Sequence, residues 1–269
     1  MKICICGKGG SGKSTGVALL AAELRRRGKR VLVVDSDESN AGLYWMLGLD
    51  EPPVPLMELA GGKRNIQRVL RTAFTEDGSY EEKPVLARDE FRTGDLPSAQ
   101  IRWADGIGLV CIGKIHQALE GCACPMGVLS REFLKKLRTD DHEIVVVDME
   151  AGVEHFGRGV ETSVDAVVVV AEPSLESITL AERIKGLASG AGARFVGAVM
   201  NKVSGEEIAA RLSEALQRRG VRVLSVIPFR QEFLEAGLEG APLDAGPIAD
   251  GVRSLVDSVL AAAEAPKGN

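Results

Sequence analysis

The residues best suited to chemistry lie in a glycine-rich stretch near the N-terminus. Gly7, Gly12, Lys13 and Ser14 fit the pattern G-x-x-x-x-G-K-[ST], between an apolar run at 2–6 and an apolar helical pattern. Glycines let several backbone N–H groups converge on one anion, and a helix N-terminus adds its positive dipole end. In this setting the lysine reaches the β- and γ-phosphates and the hydroxyl holds Mg²⁺. The motif predicts a nucleotide-binding loop, the alternative being a glycine-rich turn without a ligand.

The loop carries a second lysine, Lys8, directly after its first glycine. A simple phosphate cradle does not need it. The order Lys-Gly-Gly-x-Gly-Lys-Ser/Thr resembles the deviant P-loop of the dimeric ATPases, which include the nitrogenase iron protein, the partition and septum-site ATPases and the metal-insertion ATPases. The resemblance implies ATP/ADP as ligand, a nucleotide-dependent homodimer, and catalytic roles for Lys13 and for Lys8, which would reach the partner's nucleotide. The alternative for Lys8 is a solvated surface lysine. The predicted nucleotide contacts in this loop are Gly9, Gly10, Ser11, Gly12, Lys13, Ser14 and Thr15.

Carboxylates come at the ends of two further apolar runs. Asp35 directly follows the run 31–34, with Asp37 two residues on, and Asp148 directly follows the run 144–147. Open α/β sheets bind ligands at the carboxyl ends of their strands, so these acids are expected beside the loop. Asp148 suits Mg²⁺ coordination, directly or through water. The resemblance makes Asp37 the catalytic residue that positions or activates water, and places Asp35 in the Mg²⁺ network; the alternative is a solvated turn. Gly152 lies where a backbone can approach the γ-phosphate.

Base contacts are predicted from two later strand ends. Asn201 and Lys202 close one predicted strand, and Pro228 comes directly after the last one. The resemblance implies that Asn201 reads adenine and that the loop at Pro228 packs around the base. An amide carries both a donor and an acceptor, which matches the N6 and N7 edge of adenine.

The sequence also contains a pair of closely spaced cysteines, Cys122 and Cys124, ahead of a helical pattern that Pro125 suits as a first turn. A helix N-terminus stabilises a thiolate, and in an extended Cys-x-Cys both side chains point to one side. Zinc in structural sites takes four ligands. A two-fold axis would supply the missing two from a second copy. The pattern therefore suggests a metal site shared by two protomers.

Gly-Cys-x-Cys-Pro after a Gly-Lys strand end closely resembles the CooC-type ATPases, which mature nickel enzymes such as carbon monoxide dehydrogenase. The resemblance implies that Cys122 and Cys124 bind Ni²⁺ or Zn²⁺ at the dimer interface and that the partner is a client nickel enzyme. The alternative is two small apolar residues in a turn. The nitrogenase iron protein has a cysteine just after its Walker B segment, whereas this chain has none beyond Cys124. The chain therefore does not match the nitrogenase iron protein. An iron–sulfur cluster that bridges two protomers through Cys122 and Cys124 remains an alternative.

The other cysteines are interpreted as core residues. Cys4 and Cys6 lie in the first predicted strand and Cys111 in another, and buried cysteine is common and inert. His155 comes shortly after the Asp148 strand, and we interpret it as a packing or hydrogen-bonding residue rather than a ligand.

Composition narrows the function classes. A net charge of −5 and a pI of about 5.5 argue against a nucleic-acid or membrane-surface binder. No apolar run reaches the length of a membrane span, and no signal peptide precedes the first strand, so a cytoplasmic protein is expected. The last helix carries acids rather than a basic face, so the membrane anchor of the septum-site type is missing.

Apolar strands alternate with helical patterns along the chain. This order predicts a doubly wound α/β fold with a mainly parallel sheet, formed by a single P-loop ATPase domain at 1–269. Residues 50–104 are less regular and are interpreted as an insertion. The leading hypothesis is an ATP-hydrolysing metallochaperone that inserts nickel. The alternatives are a partition- or positioning-type ATPase and a nucleotide-gated metal-binding scaffold that hardly turns over.

Overall fold

A computed structural model describes residues 1–73, 83–114, 124–157 and 159–264. Its centre is an eight-stranded sheet in the order β3-β4-β2-β5-β1-β6-β7-β8. All neighbouring pairs are parallel except β3 and β4, which are antiparallel. The prediction of a doubly wound, mainly parallel α/β fold is thus confirmed. The strands are β1 Lys2–Gly7, β2 Arg30–Asp35, β3 Arg102–Ala104, β4 Ile107–Cys111, β5 Glu143–Asp148, β6 Ala166–Ala171, β7 Arg194–Val203 and β8 Val223–Pro228.

Helices cover both faces of the sheet, as the continuous apolar runs of its central strands require. Ile3 and Ile5 of β1 join the apolar cluster that includes residues of α1 and α9, whereas Cys4 and Cys6 join the cluster that includes residues of α4 and α6. The helices are α1 Lys13–Arg26, α2 Leu43–Met46, α3 Gly62–Thr72, α4 Cys124–Lys136, α5 Glu154–Gly157, α6 Leu175–Gly190, α7 Glu206–Arg218, α8 Gln231–Glu239 and α9 Ala249–Glu264. Within the described ranges, no helix has the length and apolar character needed to cross a bilayer.

The register of the sheet fixes where the strand ends meet. β1 lies between β5 and β6, and β2 pairs with β5 so that Asp35 is opposite Asp148. Since these strands are parallel, their carboxyl ends lie at one edge, together with the loop that leaves β1. The fold thereby brings the two aspartates to the glycine-rich loop.

The region predicted as an irregular insertion contains more structure than expected. It contains a 3₁₀ turn at Leu56–Glu58 and the eleven-residue helix α3. The edge strand β3, which the sequence analysis missed, pairs antiparallel with β4. Its three residues are too few for an alternating pattern to be recognised.

Candidate functional site

The glycine-rich loop connects β1 to α1 through backbone conformations that suit glycine. Gly12 has φ 93° and lies beside Asn201, so that a Cβ at this position would lie 2.0 Å from the Asn201 side-chain nitrogen. Gly10 has φ 77°, but among the described residues no heavy atom lies within 4 Å of a Cβ built on it. Gly12 therefore serves both a left-handed turn and a close approach, whereas Gly10 serves the turn alone.

Ser14 sits in the first turn of α1 and joins the loop to β5. Its hydroxyl donates to Asp148 Oδ2 at 2.6 Å, and the Asn40 side-chain amide donates to both groups, at 2.9 Å to Ser14 Oγ and 3.1 Å to Asp148 Oδ2. Lys13, the first residue of α1, is 6% exposed. The sequence analysis missed Asn40, whose only signal was its position shortly after Asp37.

Burial controls the ionisation of the two strand-end aspartates. Loss of solvation, aided by the Asp35 charge, raises the pKa of Asp148 to about 7, although the Ser14 hydroxyl and Lys13 oppose the shift. Burial likewise raises the pKa of Asp35 to about 6, against the lowering effect of Lys114. The Lys114 ammonium donates to Asp35 Oδ2 at 2.7 Å and to the Asp37 carbonyl at 2.6 Å. Sequence analysis gave Lys114 no role.

Residues that suit Mg²⁺ meet at this point. Asp148 Oδ1 is buried without a hydrogen-bond partner among the described residues, while Oδ2 is bonded to Ser14 and Asn40. Carboxylate and hydroxyl oxygens are hard ligands of the kind that Mg²⁺ prefers, and it usually takes only one or two carboxylates. Asp148 and Ser14 therefore fit a magnesium ion, with Asp35 behind them as a neighbouring charge.

Asp37 lies two residues beyond β2 and is 8% exposed. Its Oδ1 accepts hydrogen bonds from the Ser39 backbone N–H at 3.0 Å and the Ser39 hydroxyl at 2.6 Å, and its own N–H donates to Asp35 Oδ1 at 3.1 Å. These bonds hold the Asp37 carboxylate in one orientation at the edge where the loop lies.

Lys8 is held within its own chain. Its ammonium lies 3.0 Å from Glu172 and 3.3 Å from Glu176, just beyond β6 and at the start of α6. The hydrogen bond to Glu172 raises the pKa of Lys8 above its usual value. The sequence analysis did not foresee these two glutamates, because α6 is far from the loop in sequence.

The predicted base contacts face the loop itself. The Asn201 amide donates to the Ser11 carbonyl at 2.8 Å, and Lys202 donates to the Gly10 carbonyl at 2.6 Å. Pro228 ends β8 at the same edge of the sheet. In this structure the NH₂ group of Asn201 therefore stabilises the loop by a hydrogen bond.

The remaining predicted contacts lie around the loop. Gly152 has φ 85°, and its N–H donates to the Gly7 carbonyl at 3.1 Å. A Cβ on Gly9 would lie 3.7 Å from Ala151, which places the segment after Asp148 against the loop. Thr15 occupies the first turn of α1.

Of the two paired cysteines, Cys122 lies outside the described residues and Cys124 is the first residue of α4. A helix that begins at Cys124, with Pro125 in its first turn, agrees with the predicted start. The prediction that Cys4, Cys6 and Cys111 are core residues is confirmed by their burial.

The fold and the loop define a nucleotide-binding P-loop protein. The family model of the CobQ/CobB/MinD/ParA nucleotide binding domain matches residues 3–243, and the chain therefore belongs to this family. The chain is a P-loop ATPase. It is 43% identical over 245 residues to an uncharacterized ATP-binding protein of Methanocaldococcus jannaschii, which covers 91% of this chain and 94% of the relative.

Two further similarities are relevant to function and fold. The carbon monoxide dehydrogenase accessory protein CooC of Rhodospirillum rubrum is 36% identical over 204 residues, which covers 76% of this chain and 75% of that protein. The septum site-determining protein MinD from Pyrococcus horikoshii, solved with Mg-ADP, superposes with a TM-score of 0.67 at 21% identity and covers 98% of both chains. The latter likeness concerns the fold alone.

Proposed function

We propose that this chain is an ATP-driven metallochaperone that loads nickel into a client enzyme. Cys122 and Cys124 from each of two protomers hold the ion, which is cargo rather than a resident cofactor. Thiolate ligands accept both Ni²⁺ and Zn²⁺, so either ion can occupy the site after purification. The similarity to the CooC accessory protein supports this proposal over others for the family.

The observation that carries the proposal is the contact between the nucleotide edge and the helix that begins at Cys124. Met126 and Gly127, in the first turn of α4, line a small cavity together with Met149 and His155, which lie beyond Asp148 in the chain. If the switch segment after Asp148, which includes Met149 and His155, rearranges when phosphate is lost, it would therefore displace the start of α4. This contact couples ATP hydrolysis to the proposed cysteine site.

The site residues divide the work of hydrolysis. Lys13 and the loop amides bind the phosphates, and Ser14 and Asp148 would hold Mg²⁺, which would neutralise the charge that develops on the phosphate. Asp37, fixed by Ser39, orients the attacking water. Lys8 leaves its glutamate partners and completes the site of the second protomer. We expect ATP hydrolysis to be slow without a client enzyme, because the metal that holds the two protomers together then has no acceptor.

A transfer assay tests the proposal. Protein loaded with radioactive Ni²⁺ is mixed with nickel-free carbon monoxide dehydrogenase, and transferred metal is counted with ATP, ADP or no nucleotide. We expect ATP-dependent transfer by the wild type, none by Cys122→Ser/Cys124→Ser, and retained nickel without transfer by Asp37→Asn. Equal transfer by wild type and the double cysteine variant would refute the metallochaperone proposal.

A second candidate is a positioning ATPase whose ATP-dependent dimer binds DNA or membrane, which is compatible with the fold that this chain shares with MinD. Two observations oppose it. The chain has a net charge of −5. The apolar residues of α9 also pack into the core rather than forming an exposed face; they are Val252, Leu255, Val256 and Val259. ATP-dependent retention on DNA or on anionic vesicles would support this alternative.

A further inference from the structure

A second group of metal-ligating side chains lies beneath the loop. Cys4 and Cys6 alternate with Ile3 and Ile5 along β1, so both thiols lie on the sheet face that α4 and α6 cover. His155, from the short helix α5, packs against the same face. The two sulfurs and a His155 ring nitrogen all lie within 4.8 Å of one another.

The environment of His155 suits a metal ligand. The side chain is 2% exposed, and neither ring nitrogen has a hydrogen-bond partner in the part of the chain that the structure describes. A buried polar group without a partner costs about 1–3 kcal/mol. A metal ion held beside the two thiols would satisfy one of these ring nitrogens. Within the described parts of the chain, this is the only group of three such residues.

Cys6 has an environment that suits a thiolate ligand. The Cys4 thiol lowers the pKa of Cys6 to about 6, helped by the neighbouring imidazole and by Lys13, although burial opposes the shift. When protonated, Cys6 donates to the Val168 carbonyl at 3.5 Å, a weak contact that a metal ion would replace. By contrast, burial and the Asp35 charge raise the pKa of Cys111 to about 12.

We propose that Cys4, Cys6 and His155 form a second metal site, which takes one thiophilic divalent ion of the zinc class per chain. In tetrahedral geometry with metal–sulfur bonds of about 2.3 Å, two sulfurs lie about 3.8 Å apart, so the cluster need contract by no more than about 1 Å. Three protein ligands leave a fourth position open, as in sites that exchange a ligand. The site is distinct from Cys122 and Cys124, and its existence does not depend on nickel transfer.

The proposed metal site lies between the nucleotide loop and the segment after Asp148. β1 leads into the nucleotide loop, and α5 comes directly after the segment in which Gly152 bonds to Gly7. An ion shared by Cys4, Cys6 and His155 therefore ties the strand before the loop to the segment after Asp148. We expect metal affinity at this site to differ between the ADP-bound and ATP-bound protein.

Cobalt titration of the full-length Cys122→Ser/Cys124→Ser variant tests the proposal, because Co²⁺ reports thiolate ligation through charge-transfer absorption. We expect one Co²⁺ per chain with sulfur-to-cobalt bands. Adding Cys4→Ala and Cys6→Ala should abolish the bands, and adding His155→Phe should weaken affinity by more than about 10-fold, since loss of a residue that merely orients a metal ligand already costs about 10–100-fold. Cys111→Ala, which removes another buried thiol, is the matched control and should keep full binding.

The parent variant alone can overturn the proposal, so a folding defect in the core variants does not obscure the result. Absence of Co²⁺ binding by Cys122→Ser/Cys124→Ser would refute the second site. Bands that survive removal of Cys4 and Cys6 would also refute it. Nickel transfer to the client is a separate measurement, so the proposed function can fail while this site stands, and the reverse.

Discussion

Asp35 and Asp148 occupy opposite positions on the adjacent parallel strands β2 and β5, and both are buried. Their burial and their mutual repulsion raise the pKa of Asp148 to about 7, and burial raises the pKa of Asp35 to about 6. Within the described ranges, only Asp35 of the two has a lysine in contact with its carboxylate, Lys114. Asp148 therefore holds its proton more tightly than an ordinary aspartate in the absence of a cation, and a Mg²⁺ ion at this position would stabilise its charged form.

This arrangement predicts how stability depends on pH in the nucleotide-free protein. In the unfolded chain Asp148 titrates near its ordinary pKa of 3.8, so the folded state binds the proton more tightly. The free energy of unfolding should therefore fall as the pH rises from about 4 to about 7. Asp148→Asn removes this titration and should raise the free energy of unfolding at pH 8 by about 1 kcal/mol or more, with a clearly smaller gain at about pH 5.

Urea unfolding at the two pH values measures this effect. Asp141→Asn, a change at an exposed aspartate, is the control and should leave the pH profile unchanged. A parallel profile for wild type and Asp148→Asn would contradict the assigned ionisation.

Lys8 should act in the dimer and not in nucleotide binding. Lys8→Ala should keep ADP affinity but lose ATP-dependent dimerisation, and hydrolysis should fall at least about 100-fold, since a cationic group supplied in trans contributes about 10³–10⁵ in comparable phosphoryl transfers. Because Glu172 and Glu176 hold Lys8 within its own chain, Glu172→Gln/Glu176→Gln should dimerise at lower ATP concentration. Light scattering measures the dimer. Lys185→Ala on α6 is the surface control and should leave dimerisation unchanged. Normal ATP-dependent dimerisation of Lys8→Ala would contradict the proposed role of Lys8 in the dimer.

Asp37 should be needed for turnover alone. Asp37→Asn keeps the size of the side chain but removes the charge that orients water, and should lower the hydrolysis rate by about 10²–10⁴-fold while ATP binding is retained. Phosphate release and nucleotide affinity are measured together. Asp105→Asn, at an exposed turn, is the control. Turnover that is too slow to detect in the wild type would instead favour the nucleotide-gated scaffold.

Two loop glycines should differ in their tolerance of a side chain. Gly10→Ala introduces left-handed strain of about 1–2 kcal/mol and no contact. Gly12→Ala adds to that strain a clash with Asn201. We expect Gly12→Ala to lose ADP binding by calorimetry and Gly10→Ala to weaken it by at most about 30-fold, the equivalent of that strain. Equal losses would show that the Asn201 contact does not shape the loop.

Features that are local, or that the geometry of parallel sheets dictates, could be predicted from the sequence. The loop motif, and the ends of β2 and β5 with Asp35 and Asp148, needed only apolar runs and strand polarity. Asn40 and Lys114 escaped prediction because their contacts depend on how the chain returns to the site after leaving a strand. Cys4 and Cys6 were interpreted as inert because a strand pattern does not reveal that His155 packs beside them.

The most direct test of the proposed function is metal content per particle for the wild type and for Cys122→Ser/Cys124→Ser, with Zn²⁺ or Ni²⁺ and with or without ATP. Mass from light scattering and metal analysis are taken on the same fractions. The account predicts one additional ion per dimer in the wild type, shared by the Cys122 and Cys124 pairs and lost in the variant. Dimerisation that depends on ATP alone, with equal metal content in both proteins, would contradict it and favour a positioning ATPase.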